Sequence, residues 1–193
     1  MIQMYAETIK KDEISQMPIE VFGGRIIVIN TLSDADKAVA YLSEFRKVGI
    51  DTETKPSFKK GQRNKISLMQ ISTEDTCFLF RLKLIGIPDS LYEFLVNPDI
   101  TKIGLSLRDD FNAIRKRRNM EPLGCVDLQN IVGDYGIKEA SLQKIYAILY
   151  GKKISKNQRL SNWDADILSE AQQKYAALDA WACLRIYNHL KQA

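Results

Sequence analysis

The stretch that most constrains this chain lies near its C-terminus: Ser169-Glu-Ala-Gln-Gln-Lys-Tyr-Ala-Ala-Leu-Asp-Ala-Trp-Ala-Cys-Leu-Arg-Ile-Tyr. Ser169 with Gln172 three residues on is a capping-box start, so the spacing predicts a helix from this point. Its apolar stripe runs Tyr175, Leu178, Ala182, Ile186 and Leu190, at intervals of three and four. Asp179 stands four residues after Tyr175 and projects from the same inward face. A carboxylate on a buried stripe costs roughly several kcal/mol unless a partner offsets it. The rest of the chain must supply that partner.

Upstream, the pattern alternates between strands and helices. Residues 1–20 are polar with scattered charges and read as a loose N-terminal arm, leaving 21–193 as one domain. Gly23-Gly24 marks a turn, and 25–30 reads as a strand followed by a helix capped by Ser33, with Ala35, Ala38, Val39, Leu42 and Phe45 inward. A second strand covers 48–53. Residues 55–65 form a polar connection rich in lysine, including Lys59, Lys60 and Arg63. Strands at 66–72 and 76–82 flank a short hairpin loop at Thr73. A short helix at 91–96, a strand at 101–106 and a helix at 107–118 come next. Helical turns follow around 127–132 and at 141–149, the latter ended by Gly151. A basic loop, 152–159, leads into the terminal helix. Strands in the first half with helices between and after them predict an α/β domain with a mixed central sheet flanked by helices.

Within the strand 48–53, side chains alternate, so Val48 and Ile50 face one way and Asp51 and Glu53 the other. Two carboxylates side by side repel, which favours raised pKa values or a bound cation. A third acid comes from Asp109 or Asp110, in the first turn of the helix at 107–118. Leu107, Phe111 and Ile114 make its buried stripe, and Asp110 falls within that stripe while Asp109 is rotated off it. Asp110 is therefore the expected ligand, and Asp109 suits a dipole or solvent role. A one-residue shift of register would exchange them. With Asp179 there are four carboxylates at element ends or on inward faces. Oxygen donors of this kind suit Mg²⁺ or Mn²⁺ rather than zinc, and a paired-metal site with ions about 3.5–4 Å apart is the natural arrangement for phosphoryl transfer.

Composition narrows the alternatives. The net charge of +4 and pI near 8.9 are compatible with a polyanionic partner. The single histidine, His189, is placed for neither zinc hydrolysis nor Ser-His-Asp or Cys-His chemistry. Cys77, Cys125 and Cys183 lack metal-binding spacing and read as reduced packing residues. No Gly-rich phosphate loop is present. The first twenty residues lack the pattern of a signal peptide and no apolar run is long enough to span a bilayer, so no membrane association and a cytoplasmic location are the expectations.

Three stretches, Asp51-Thr52-Glu53, Gly104-Leu-Ser-Leu-Arg-Asp-Asp110 and Tyr175-Ala-Ala-Leu-Asp179, together resemble the motifs of the DEDD exonucleases. The match is to the branch with tyrosine in the last motif, typified by ribonuclease D and the Werner syndrome protein's exonuclease domain. Ile66-Ser-Leu-Met-Gln-Ile and the entry Ser161-Asn-Trp into the last helix extend the similarity over about residues 21–191. The resemblance implies a ribonuclease H-like fold and a two-metal 3′→5′ exonuclease that releases nucleoside 5′-monophosphates from DNA or RNA with a single-stranded 3′ end. By that resemblance Asp51 bridges both ions, Glu53 and Asp179 complete the ion holding the attacking water, and Asp110 holds the second ion, partly through water. Tyr175 orients and helps activate the water. Thr52, Met69, Gln70 and Phe111 are the expected substrate contacts, with core packing the competing reading for Met69 and Phe111. The loops 55–65 and 152–159 are candidate phosphate contacts. Trp163 and Trp181 read as structural, and Asp127 and Asp164 as a cap and a turn residue. Two other readings stand beside the nuclease: a non-catalytic nucleic-acid-binding protein on the same fold, and a hydrolase of small phosphate esters.

Overall fold

The computed structural model describes residues 4–58 and 64–192; Lys59, Lys60 and Arg63 of the lysine-rich connection lie outside them. The chain begins with a short helix α1 (Lys11–Ser15), then β1 (Arg25–Ile29), α2 (Leu32–Leu42), β2 (Lys47–Thr54), β3 (Ile66–Ser72) and β4 (Thr76–Phe80). Two helices, α3 (Leu82–Ile85) and α4 (Asp89–Val96), lead to β5 (Thr101–Gly104), α5 (Leu107–Arg115) and β6 (Cys125–Asp127). Two 3₁₀ turns, α6 (Leu142–Tyr150) and the long α7 (Glu170–Gln192) complete it. The six strands form one sheet in the order β1-β4-β3-β2-β5-β6. β3 runs antiparallel to both β2 and β4, while β1–β4, β2–β5 and β5–β6 are parallel, so the sheet is mixed as the alternation of elements implied.

Each face of the sheet carries its own core. On one side α2, α4 and α5 bury Val48, Ile50, Met69 and Ile71. On the other, α6 and α7 cover Leu68, Leu79 and Ile103. α7 starts as its sequence predicted: Ser169 Oγ accepts from Gln172 N (3.2 Å) and Gln172 Oε1 accepts from Ser169 N (3.0 Å), the reciprocal pair of a capping box. α6 ends at Gly151 in a left-handed conformation, φ 62°.

Local chemistry differs from expectation in four places. The cap of α2 is Thr31, whose side chain accepts from Asp34 N (3.2 Å), because Thr31 rather than Ser33 keeps extended backbone angles after β1. β4 stops at Phe80 and the next residues turn into α3, anchored by buried Arg81, which donates to the carbonyls of Ala165 and Asp166. Cys125–Asp127, at the edge of the stretch expected as helical turns, is a parallel edge strand on β5, and the turns begin at Leu128. Residues 4–20 are packed rather than loose: Tyr5 N bonds Tyr135 O (3.0 Å), Lys138 N bonds Glu7 O (2.8 Å), and Ile14 is buried. Among the described residues no helix is long and apolar enough to cross a membrane.

Candidate active site

The site forms where β2, α5 and α7 converge. β2 puts Asp51 and Glu53 on the face covered by α7, and the register sets Asp51 opposite Gln70 and Glu53 opposite Leu68. α7 can descend onto this face because Gly49 has no side chain: a Cβ there would lie 1.9 Å from the Ala180 carbonyl oxygen. That close approach brings Asp179, on the turn beside Ala180, down to β2. One carboxylate oxygen from each of Asp51, Glu53 and Asp179 falls within 4.8 Å of the others.

Asp110 arrives from α5. The helix start is held by Asp127, whose two carboxylate oxygens accept from Ser106 N (3.1 Å) and Leu107 N (2.9 Å) while also capping the following 3₁₀ turn at Gln129 N (3.0 Å). Asp127 is thus a cap, as its sequence context suggested, and it serves two elements. Ser106 takes a left-handed φ of 61° at this junction, the only non-glycine residue among those described to do so. Strain of this kind persists where surrounding contacts over-determine the backbone. Asp110 is half-buried and accepts a short hydrogen bond from Thr52 Oγ1, whereas Asp109 is exposed. Of the two, Asp110 is the one the fold turns toward the cluster.

The electrostatics are those of crowded acids. Burial, then repulsion from Asp110, Asp179 and Glu53, raises Asp51 well above the ordinary carboxylate range. Glu53 is pushed up to about 9 by burial and by Asp179 and Asp110, with Arg159 opposing. Burial raises Asp179 to about 7, opposed by the Tyr175 hydroxyl and by Lys156. Burial also raises Asp110 to about 6, against the bond from Thr52. None of the four acids makes an ion pair among the described residues. Acids brought together with no ion pair among the described residues, offering only oxygen donors, are compatible with hard divalent cations and poorly suited to zinc.

Tyr175 stands half-buried beside the cluster, and burial plus the charges of Asp179, Glu53 and Asp51 push its hydroxyl above the usual phenol value. Asp51, Tyr175 and Asp179 share a cleft of about 340 Å³ with Ser106, Lys156 and Arg159. The basic loop 152–159 therefore reaches the site, through two cations that spacing alone did not single out.

Two expected substrate contacts are enclosed instead. Met69 is fully buried in the core on the far side of the sheet, paired with Thr52 and facing away from Asp51. Its apolar side chain fills space between strand and helices, so it offers no surface to a nucleotide. Gln70 does share the face of Asp51, yet it too is fully buried, and neither its amide nitrogen nor its carbonyl oxygen has a partner among the described residues. Phe111 is half-buried and packs against the far core. Trp163 is buried with its ring 6.0 Å from that of Tyr175, and Trp181 donates to Glu74 O (3.0 Å); both are structural.

Comparison with known proteins places the chain. A family model described as 3′-5′ exonuclease matches residues 26–193. A 3′-5′ exonuclease of Arabidopsis thaliana is 31% identical over 193 residues, covering 90% of this chain and 66% of that protein. The mouse bifunctional 3′-5′ exonuclease/ATP-dependent helicase WRN is 30% identical over 185 residues, covering 90% of this chain and 13% of its own length. The crystal structure of Escherichia coli RNase D superposes with a TM-score of 0.77 at 21% identity, over 88% of this chain and 44% of that one. That likeness shows the ribonuclease H-like fold. The chain spans about two thirds of the Arabidopsis relative and a small part of the mouse one.

Proposed function

Since this chain belongs to the 3′-5′ exonuclease family, we propose that it hydrolyses phosphodiester bonds from the 3′ end of DNA or RNA, releasing nucleoside 5′-monophosphates. The observation that carries the reading is the meeting of Asp51, Glu53 and Asp179 within 4.8 Å, with Asp110 beside them and, among the described residues, no ion pair to any of the four. These four acids are the residues we assign to holding two divalent cations, Mg²⁺ or Mn²⁺. Bound there, the cations supply Lewis-acid polarisation of the scissile phosphate and lower the pKa of a coordinated water. The domain that does this is 21–193, with residues 1–20 as an N-terminal extension.

The chain's own groups take the remaining roles. An ordinary phenol ionises near pH 10, and Tyr175 is held higher, so at neutral pH it keeps its proton and acts as a donor. We assign it to orienting the nucleophilic water, and with it we assign the protein to the tyrosine branch of the family. Lys156 and Arg159, on the wall of the cleft, are positioned to meet the phosphates of an incoming strand. Thr52 acts through Asp110, fixing the carboxylate by its hydrogen bond.

The test is a 5′-labelled single-stranded oligonucleotide, DNA and RNA in parallel, incubated with Mg²⁺ or Mn²⁺. Wild type should generate a ladder shortening by one nucleotide at a time from the 3′ end, abolished by EDTA and by Asp51→Ala. Retained binding with no hydrolysis under either metal would favour the non-catalytic reading. Faster turnover of mononucleotide esters than of oligonucleotides would favour a small-phosphoester hydrolase.

A further inference from the structure

A second pocket adjoins the catalytic cleft across Tyr175. It measures about 200 Å³ and is walled by Ile19, Val21, Phe22, Tyr175 and Leu178, with Asn157 and Gln158 at its polar edge. The loop 152–159 is a ridge between the two spaces. Ile154, Lys156 and Arg159 line the catalytic side, while Ser155, Asn157 and Gln158 line the other.

The far wall is a strap, residues 19–22, that precedes the stretch matched by the family model. It is firmly built. Glu20 N donates to Lys153 O (2.9 Å) and Lys153 N donates to Pro18 O (2.9 Å). The Glu20 carboxylate, 6% exposed, accepts from Tyr146 Oη (2.7 Å), Lys152 Nζ (3.0 Å) and Arg185 Nη1 (2.9 Å). Against its burial, bonds from Tyr146, Lys152 and the Val21 N–H hold its pKa below the ordinary carboxylate value. This buried anchor fixes the strap, and the strap leaves Ile19 59% and Val21 64% exposed at the pocket mouth. Two large apolar side chains exposed on an anchored strap beside a catalytic cleft are an unfilled contact surface.

We propose that this pocket is a second nucleotide subsite, taking one unpaired nucleobase of the same strand whose 3′ end occupies the catalytic cleft. It rests on the exonuclease reading. The apolar wall and the half-buried Tyr175 suit the face of a base, which sequence-tolerant sites grip by its apolar surface. The side chains of Asn157 and Gln158 make no hydrogen bond to any described residue, and their carboxamides can pair with a base edge. Lys156 and Arg159 on the ridge lie where the linking phosphate must pass, and Lys174, paired with Glu170, stands at the rim. Continuity through Tyr175 makes the neighbouring nucleotide of the substrate the occupant, in preference to an unrelated ligand.

The test compares single-stranded oligonucleotides carrying one abasic nucleotide at successive positions from the 3′ end with the p-nitrophenyl ester of thymidine 5′-monophosphate, which has a single base. The variant is Ile19→Ser with Val21→Ser, which removes apolar wall at two exposed positions without adding charge; its melting curve checks the fold. The ratio of kcat/KM for the intact oligonucleotide to that for the ester should fall about tenfold, the scale of losing part of an apolar contact. One abasic position should impose a similar loss on wild type and add nothing in the variant. An unchanged ratio, or abasic penalties that are the same in variant and wild type, would overturn the proposal. Should wild type hydrolyse neither substrate, the exonuclease reading fails by itself. The same abasic series read as binding by fluorescence anisotropy then decides the pocket, a single sensitive position lost in the variant supporting it and a flat series overturning it.

Discussion

At the scale of single residues, the neighbouring aspartates of α5 show how rotation of a side chain sets its role. Asp110 is tied to Thr52 and faces the acidic cluster, while Asp109 is exposed one hundred degrees or so around the helix, the turn per residue of about 3.6 residues per turn. Asp110→Asn should lower kcat on the order of a hundredfold or more, the scale of removing one group that supports transition-state charge. Asp109→Asn should stay within about twofold of wild type. Steady-state kinetics on one oligonucleotide checks both, and a larger loss in the Asp109 variant would reverse the assignment. These positions were readable because helical periodicity distinguishes i+3 from i+2, and the same rule placed Tyr175 with Asp179. Met69 was not readable. All seven residues of β3 are buried, so the alternation that separates the two faces of a strand is absent from its sequence. Gln70 shares the face of Asp51, but how completely it is enclosed depends on α7, more than a hundred residues away in the chain.

At the scale of elements, the site exists because α7 can touch β2. Gly49 is the contact point: Ala180 O, Ala180 C and Leu184 Cβ all crowd the space a Cβ would need. Gly49→Ala should cost about 3 kcal/mol, the upper end of overpacking penalties, because a strand backbone and a helix backbone must separate. Gly23→Ala, with nothing within 4 Å, should be near neutral. Denaturant midpoints measured together test the pair, and equal midpoints would remove Gly49 as the contact that seats α7. The element pattern was largely legible, since α7, α6 and the central strands carry clear caps or apolar runs. The exceptions are instructive. β6 is three half-buried residues at the sheet edge, too short to show a period. The strap at 19–22 is held by the buried anchor Glu20, whose partners Tyr146, Lys152 and Arg185 are all distant in sequence. Polar composition therefore resembled a loose arm.

At the scale of the whole molecule, the fold gathers four acids that no ion pair among the described residues neutralises. The mixed character of the sheet followed from the order of elements, but the neighbours of each strand did not, because β1 lies beside β4 through contacts no local pattern encodes. What the topology achieves is the convergence of β2, α5 and α7, and with it the acids. The most direct test is thermal unfolding of the metal-free protein at pH 6 and pH 8, with and without added Mn²⁺. Asp110, Asp179 and Glu53 are raised to about 6, 7 and 9, so the folded state keeps protons that the unfolded chain releases near pH 4. Stability of the metal-free protein must then fall as pH rises through that window. Mn²⁺ binds the deprotonated acids and should restore stability, more at pH 8 than at pH 6. The account predicts a lower melting temperature at pH 8 without metal and a larger Mn²⁺ shift there, with both effects reduced in Asp179→Asn. A melting temperature indifferent to Mn²⁺ at both pH values, and identical in that variant, would contradict it.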